Sequence, residues 1–150
     1  MIFGSIESLR EAGFTGFVSV GELKKPRCQI VPEERGVYIF FRESLTLPIF
    51  LPIGTGGRSR RGDPNVEIGI LKNNWVLNAH EIYIGKAGGS TEKTTLRKRL
   101  STYMSFGRGK RVSHWGGRYL WQLADADQLL VAWKPILDGE PSVVESDLIA

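Results

Sequence analysis

The chain has 150 residues, 41% of them hydrophobic and 24% charged, ordinary values for a single globular domain with a sizeable core. Lys and Arg number 20 against 16 Asp and Glu, a basic balance that suits an anionic partner. Cys28 is the lone cysteine and there are two histidines, which excludes an intrachain disulfide and a Cys/His zinc cluster.

The opening MIFGSIESLREAG carries an early acid and no long apolar run, so no signal peptide is expected. The longest apolar run, 47–53, is too short to span a bilayer and contains Pro48 and Pro52. The expected setting is cytoplasmic, with no membrane partner.

Ser5 can cap a short helix reaching Ala12, with Gly13 as its stop. Phe14 to Leu23 contains the alternating run Phe17-Val18-Ser19-Val20, which predicts a half-buried strand broken by Lys24-Lys25-Pro26. Val37 to Phe41 is wholly β-branched or aromatic and predicts a strand. The stretch 42–80 is the least regular. Its GTGGRSRRGDP segment reads as a surface loop, and the alternation of Val66, Ile68 and Ile70 suggests a strand. Glu81 to Ile84 predicts another strand.

Thr94 or Thr95 can cap a helix from Leu96 to about Phe106, with Leu96, Leu100, Tyr103 and Met104 on one stripe and Gly107 as its end. Arg99 and Tyr103, four apart, are neighbours on that helix. Tyr119–Leu123 and Leu129–Pro135 read as two strands, or as a strand and a short helical piece. Asp125 and Asp127 suit the turn between them. Pro141 or Ser142 opens a last helix with Val144 and Leu148 on one side.

Gly85-Lys86 resembles the end of a nucleotide P-loop, but His80 stands where the first glycine belongs and Ala87 where Ser or Thr is required. What remains is a set of tyrosines, cations and a late carboxylate: Tyr83, Lys86, Arg99 and Tyr103 on one strand-loop-helix, with Tyr38 before it and Glu145 after it. Phosphodiester hydrolysis needs a base for water, neutralisation of the phosphate charge and stabilisation of the leaving oxygen. Arginine suits phosphate because its fork matches two oxygens. A nearby cation eases ionisation of a tyrosine, and one carboxylate can hold Mg²⁺ if phosphate oxygens and waters fill the other positions.

Gly36-Val37-Tyr38, then Tyr83-Ile84-Gly85-Lys86-Ala87, then the run LRKRLSTY over 96–103, then Glu145-Ser146-Asp147-Leu148-Ile149 resemble, in that order, the GIY-YIG nuclease family. The wording is similar to the nuclease domain of the bacterial excision-repair endonuclease. The longer insertions are similar to those of restriction-enzyme members. The resemblance implies an α+β fold, a small α/β sandwich whose central three-stranded antiparallel sheet is flanked by helices. The whole chain, 1–150, would be one such domain, with an insertion at 42–80. It implies a stand-alone endonuclease cutting DNA with Mg²⁺ or Mn²⁺. Tyr38 or Tyr83 would take the water's proton, with Tyr38 preferred. Arg99 would bind the scissile phosphate, Lys86 and Tyr103 would assist, and Glu145 would be the protein's metal ligand. The chain departs from the pattern in the 44 residues between Tyr38 and Tyr83 and in the extra segment 88–94. It also ends five residues after Glu145, where many members continue to a further polar residue. The alternative is therefore a catalytically inactive nucleic-acid-binding module of the same fold.

Two basic clusters would meet DNA backbone: Arg58, Arg60 and Arg61, and a run containing Lys93, Arg97, Lys98, Arg108, Lys110 and Arg111 with no acid among them. His114 beside Arg118 could add a phosphate contact. Trp115, Trp121 and Trp133 are expected in the core.

Overall fold

The computed structural model describes residues 3–25, 29–57, 62–110 and 115–149. In chain order they form α1 (Ile6–Glu11), β1 (Thr15–Ser19), α2 (Val20–Leu23), β2 (Gly36–Phe41), α3 (Ile68–Asn74), β3 (Glu81–Ala87) and α4 (Leu96–Gly107). Two 3₁₀ helices, Trp115–Gln122 and Ala126–Gln128, precede β4 (Leu130–Pro135) and α5 (Pro141–Ile149).

The sheet is antiparallel throughout and has four strands in the order β1-β4-β2-β3. The expected three-stranded sheet is thus one strand short: β1 extends it beyond β4. Strand β2 is central and buried along its whole length. Its residues alternate between two cores. Tyr38 and Phe40 join Leu96, Leu100, Tyr103, Met104 and Phe106 of α4 on one face. Val37, Ile39 and Phe41 join Leu9 of α1, Phe14 and Leu148 of α5 on the other. Helices therefore cover both faces. Each fully buried aromatic or aliphatic side chain contributes about 1.5–3 kcal/mol.

Local chemistry sets the boundaries. Ser5 and Ser8 form a reciprocal capping box at α1. The expected strand over 14–23 stops at Ser19, whose hydroxyl accepts from Glu22 N and starts α2. Gly16 lies against Trp133, where a Cβ would stand 2.7 Å from the indole. Thr95 caps α4 by accepting from Lys98 N. The helix ends at Gly107 as expected, and the glycine is also needed there for packing, since a Cβ would stand 2.4 Å from the Trp121 indole.

The strand expected at Val66–Ile70 is instead the approach to α3. The buried side chain of Gln122 holds Val66 from both sides, accepting from Val66 N at 2.9 Å and donating to Val66 O at 2.9 Å. A strand partner would make those same two bonds. The chain then turns into helix, sending Leu71 into the interior. Gln122 also donates to Leu51 O, so one buried amide ties two parts of the 42–80 insertion to the domain. Tyr119–Leu123 takes the helical alternative, as 3₁₀ helix up to Gln122. Asp125 and Asp127 do more than shape a turn: Asp125 pairs with the buried Arg42 at 2.9 Å, and Asp127 with Lys24 at 2.8 Å. Trp121 and Trp133 are in the core as expected. Among the described residues, no helix is long and apolar enough to cross a membrane.

Candidate active site

A single cleft is lined by Tyr38, Tyr83, Gly85, Lys86, Glu92, Arg99 and Glu145. Five of the six residues named as catalytic from the sequence meet there. The cleft lies at β3, the outer strand of the sheet, and draws side chains from both faces. Tyr38 and Gly85 are register partners on the α4 face. Lys86 pairs with Val37 and so projects on the opposite, α5 face, where Glu145 is carried by α5. Arg99 comes from α4.

The glycine of the Tyr83-Ile84-Gly85 strand has a steric reason. The Tyr38 ring folds across it, and a Cβ at Gly85 would stand 2.3 Å from both the hydroxyl oxygen and Cζ of Tyr38. The two tyrosine rings lie side by side, centroids 6.3 Å apart. The Arg99 guanidinium favours the ionised form of both phenols, and the Tyr38 hydroxyl favours that of Tyr83. The cleft thus groups Tyr83, Tyr38 and Arg99 beside two further charges.

Burial controls the electrostatics. Burial pushes the Tyr38 phenol well above the ordinary tyrosine value; Tyr83 and Glu145 add to that, and Arg99 opposes it. Burial also raises Tyr83, which is less enclosed. There Arg99 and then the Tyr38 hydroxyl pull the other way, so the Tyr38 hydroxyl eases ionisation of Tyr83. Burial raises the Glu145 carboxyl above its usual range, while Lys86 and then Arg99 favour its charged form.

Tyr103 does not line the cleft. It is fully buried, its hydroxyl donates to Gly117 O at 2.7 Å, and its ring stands edge-on to Tyr83 with centroids 5.6 Å apart. It therefore backs the Tyr83 ring instead of meeting a phosphate, because its position on the inner stripe of α4 points it into the core. The cationic surface is also smaller than expected. Arg97 donates to Val31 O at 2.8 Å and Gln29 O at 2.9 Å and pairs with Glu33, so its guanidinium is consumed in holding the segment before β2. Arg108 is tied to Lys24 O and Ser105 Oγ. Lys93, Lys98 and Lys110 are exposed. Arg58, Arg60, Arg61, Arg111 and His114 lie outside the described residues.

Glu92 is the lining residue that reading the sequence missed. It belongs to segment 88–94, which matches none of the motif pieces. That segment is held: Gly89 N donates to Glu92 O at 2.9 Å, and Ser90 N donates to the Glu140 carboxylate at 3.0 and 3.2 Å. Gly88, at φ +79°, packs where a Cβ would meet Thr94 O at 2.5 Å. Glu140 immediately precedes α5, so the rim and the helix carrying Glu145 are joined.

Among the described residues no group of three or more His, Cys, Asp or Glu could enclose a metal. The cleft's donors fit only an ion that takes most of its ligands from elsewhere. Mg²⁺ is such an ion, commonly held by one or two carboxylates with waters and substrate phosphate. Comparison with protein-family models, with curated proteins and with solved structures finds no match.

Proposed function

We propose that this chain is a metal-dependent DNA endonuclease of the GIY-YIG type. The observation that carries the reading is the convergence on one cleft of Tyr38, Tyr83, Lys86, Arg99 and Glu145, contributed by β2, β3, α4 and α5. An aromatic hydroxyl pair, two cations and a carboxylate can supply the base, the charge neutralisation and the metal ligand that such hydrolysis uses.

Arg99 holds the scissile phosphate and neutralises the charge that grows on it. Tyr83, as phenolate, accepts the proton of the attacking water; the water oxygen joins phosphorus and the bond to the leaving sugar oxygen breaks. Tyr83 is preferred over Tyr38 as the base because it is the less buried and because the Tyr38 hydroxyl stabilises its ionised form. Lys86 offsets the charge of Glu145 and of the phosphate. Glu145 would hold Mg²⁺ or Mn²⁺, which when bound supplies Lewis-acid stabilisation of the phosphate oxygens. Lys93, Lys98 and Lys110 add backbone attraction that carries no sequence information. Cleavage of supercoiled plasmid with Mg²⁺, with Arg99→Ala and Glu145→Ala as controls, tests the reading.

A further inference from the structure

A second cavity, of about 190 Å³, adjoins the cleft through Tyr83, which lines both. Its other walls include Phe50, Leu71 and Trp75 from the 42–80 insertion, Ile82 of β3 and Tyr119 of the first 3₁₀ helix. Four rings, those of Phe50, Trp75, Tyr83 and Tyr119, face it among aliphatic and polar residues, and neighbours hold them in place. Trp75 stands edge-on to Phe50 with centroids 5.8 Å apart, and the Arg42 guanidinium lies 5.4 Å from its ring centre. Arg42 is itself buried and paired with Asp125. Tyr83 is wedged between Tyr38 and Tyr103. Arg118 lies 4.7 Å from the ring centre of Tyr119.

The backbone is shaped to make this wall. The β2–β3 register slips between Phe40 and Phe41, whose partners are Tyr83 and Glu81, leaving Ile82 as a bulge. The bulge turns Ile82 to the side of Tyr83, where both pack against the α4-side core. An occupant that spans the two cavities must carry an anion for Arg99 and Lys86 and, a short tether away, a flat apolar ring. A nucleotide has that form. A base still paired and stacked in a duplex does not present its faces, so the base must be unpaired or swung out.

We infer that the aromatic cavity receives an unpaired nucleobase next to the scissile phosphate, so that the insertion selects for unstacked nucleotides. This rests on the nuclease reading. Stacking on such rings is sequence-tolerant and strong enough to measure.

The test compares a short single-stranded thymidylate with an abasic strand of equal length and charge, by fluorescence anisotropy in EDTA so that nothing is cut. Wild-type protein is expected to bind the thymidylate about 10-fold more tightly than the abasic strand. Asn74 is exposed at the cavity wall, so Asn74→Trp plugs the cavity without disturbing the core. It should bring the ratio toward one and leave abasic binding unchanged. Trp75→Ala, with its fold checked by thermal melting, should do the same by removing a wall. Equal binding of the two strands by wild type overturns the cavity's role alone. A preference that survives both variants places the base elsewhere and also overturns it. Binding of neither strand at low salt overturns this inference together with the nuclease reading.

Discussion

Tyr38 lies so close over Gly85, its partner across the β2–β3 ladder, that any Cβ at Gly85 would overlap its hydroxyl. The aromatic hydroxyl can therefore reach over the outer strand to the cleft only because that strand lacks a side chain there. Gly85→Ala should force the Tyr38 ring aside and destabilise the fold by about 1–3 kcal/mol, as overpacking does. Tyr38→Phe keeps the ring and should cost less. Urea denaturation of the two variants checks the order.

Glu145 gives a prediction whose sign follows from its surroundings. Burial raises its folded-state pKa despite Lys86 and Arg99, so the charged form is less welcome in the fold than in the unfolded chain. Stability from this group is full below its ordinary value and is lost as pH rises through the raised one. Glu145→Gln should therefore melt higher than wild type at neutral pH without metal, with the difference closing below about pH 4. Mg²⁺ should raise the melting temperature of wild type and leave Glu145→Gln unmoved.

The tyrosines act at the other end of the scale. Tyr38, Tyr83 and Tyr103 are all raised by burial. Their contribution is present below about pH 10, the ordinary tyrosine value, and is lost as pH climbs toward the raised ones. Unfolding should set in steeply above that pH, and less steeply in Tyr38→Phe. The same shift predicts that the log of the cleavage rate rises with pH, with a slope of about one, from pH 7 to pH 9, because the phenolate of Tyr83 is scarce there. Tyr83→Phe should lower the rate about 10²–10⁴-fold and flatten the slope.

Arg97 and Lys98 are adjacent in sequence and opposite in use. Arg97→Ala should lower the melting temperature, because three acceptors lose their donor. It should change DNA affinity little. Lys98→Ala should leave melting unchanged, weaken DNA binding evenly across sequences, and reduce the salt slope by about 1 if it meets a phosphate. Melting curves and a salt titration separate the two.

The sequence was most readable where local and tertiary preferences agree. β2 is β-branched or aromatic at every position from Val37 to Phe41, and α4 has its cap and its apolar stripe in order. The fourth strand could be seen in the alternation over 17–20, but a motif-based sheet has no place for it. Long-range polar bonds were invisible. Nothing near Val66 announces that Gln122 occupies both of its backbone groups, and nothing near Arg97 announces the carbonyls of Gln29 and Val31. The five residues that share the cleft could be picked out because each stands in a recognisable local phrase. Glu92 was not, because it lies in a segment that matches no motif piece, and the aromatic cavity was not, because it joins Phe50, Leu71 and Trp75 of the insertion to Tyr83 and Tyr119 from distant parts of the chain.

The most direct measurement is conversion of supercoiled plasmid to nicked or linear DNA with Mg²⁺, read for wild type, Arg99→Ala and Glu145→Ala in parallel. Wild type should cut, and each variant should be slower by at least about 100-fold, the cost of removing one group that stabilises transition-state charge. Equal cutting by all three proteins would contradict the assigned site. Salt-dependent DNA binding with no cutting by wild type under Mg²⁺ or Mn²⁺ would show a binding module of the same fold in place of an endonuclease.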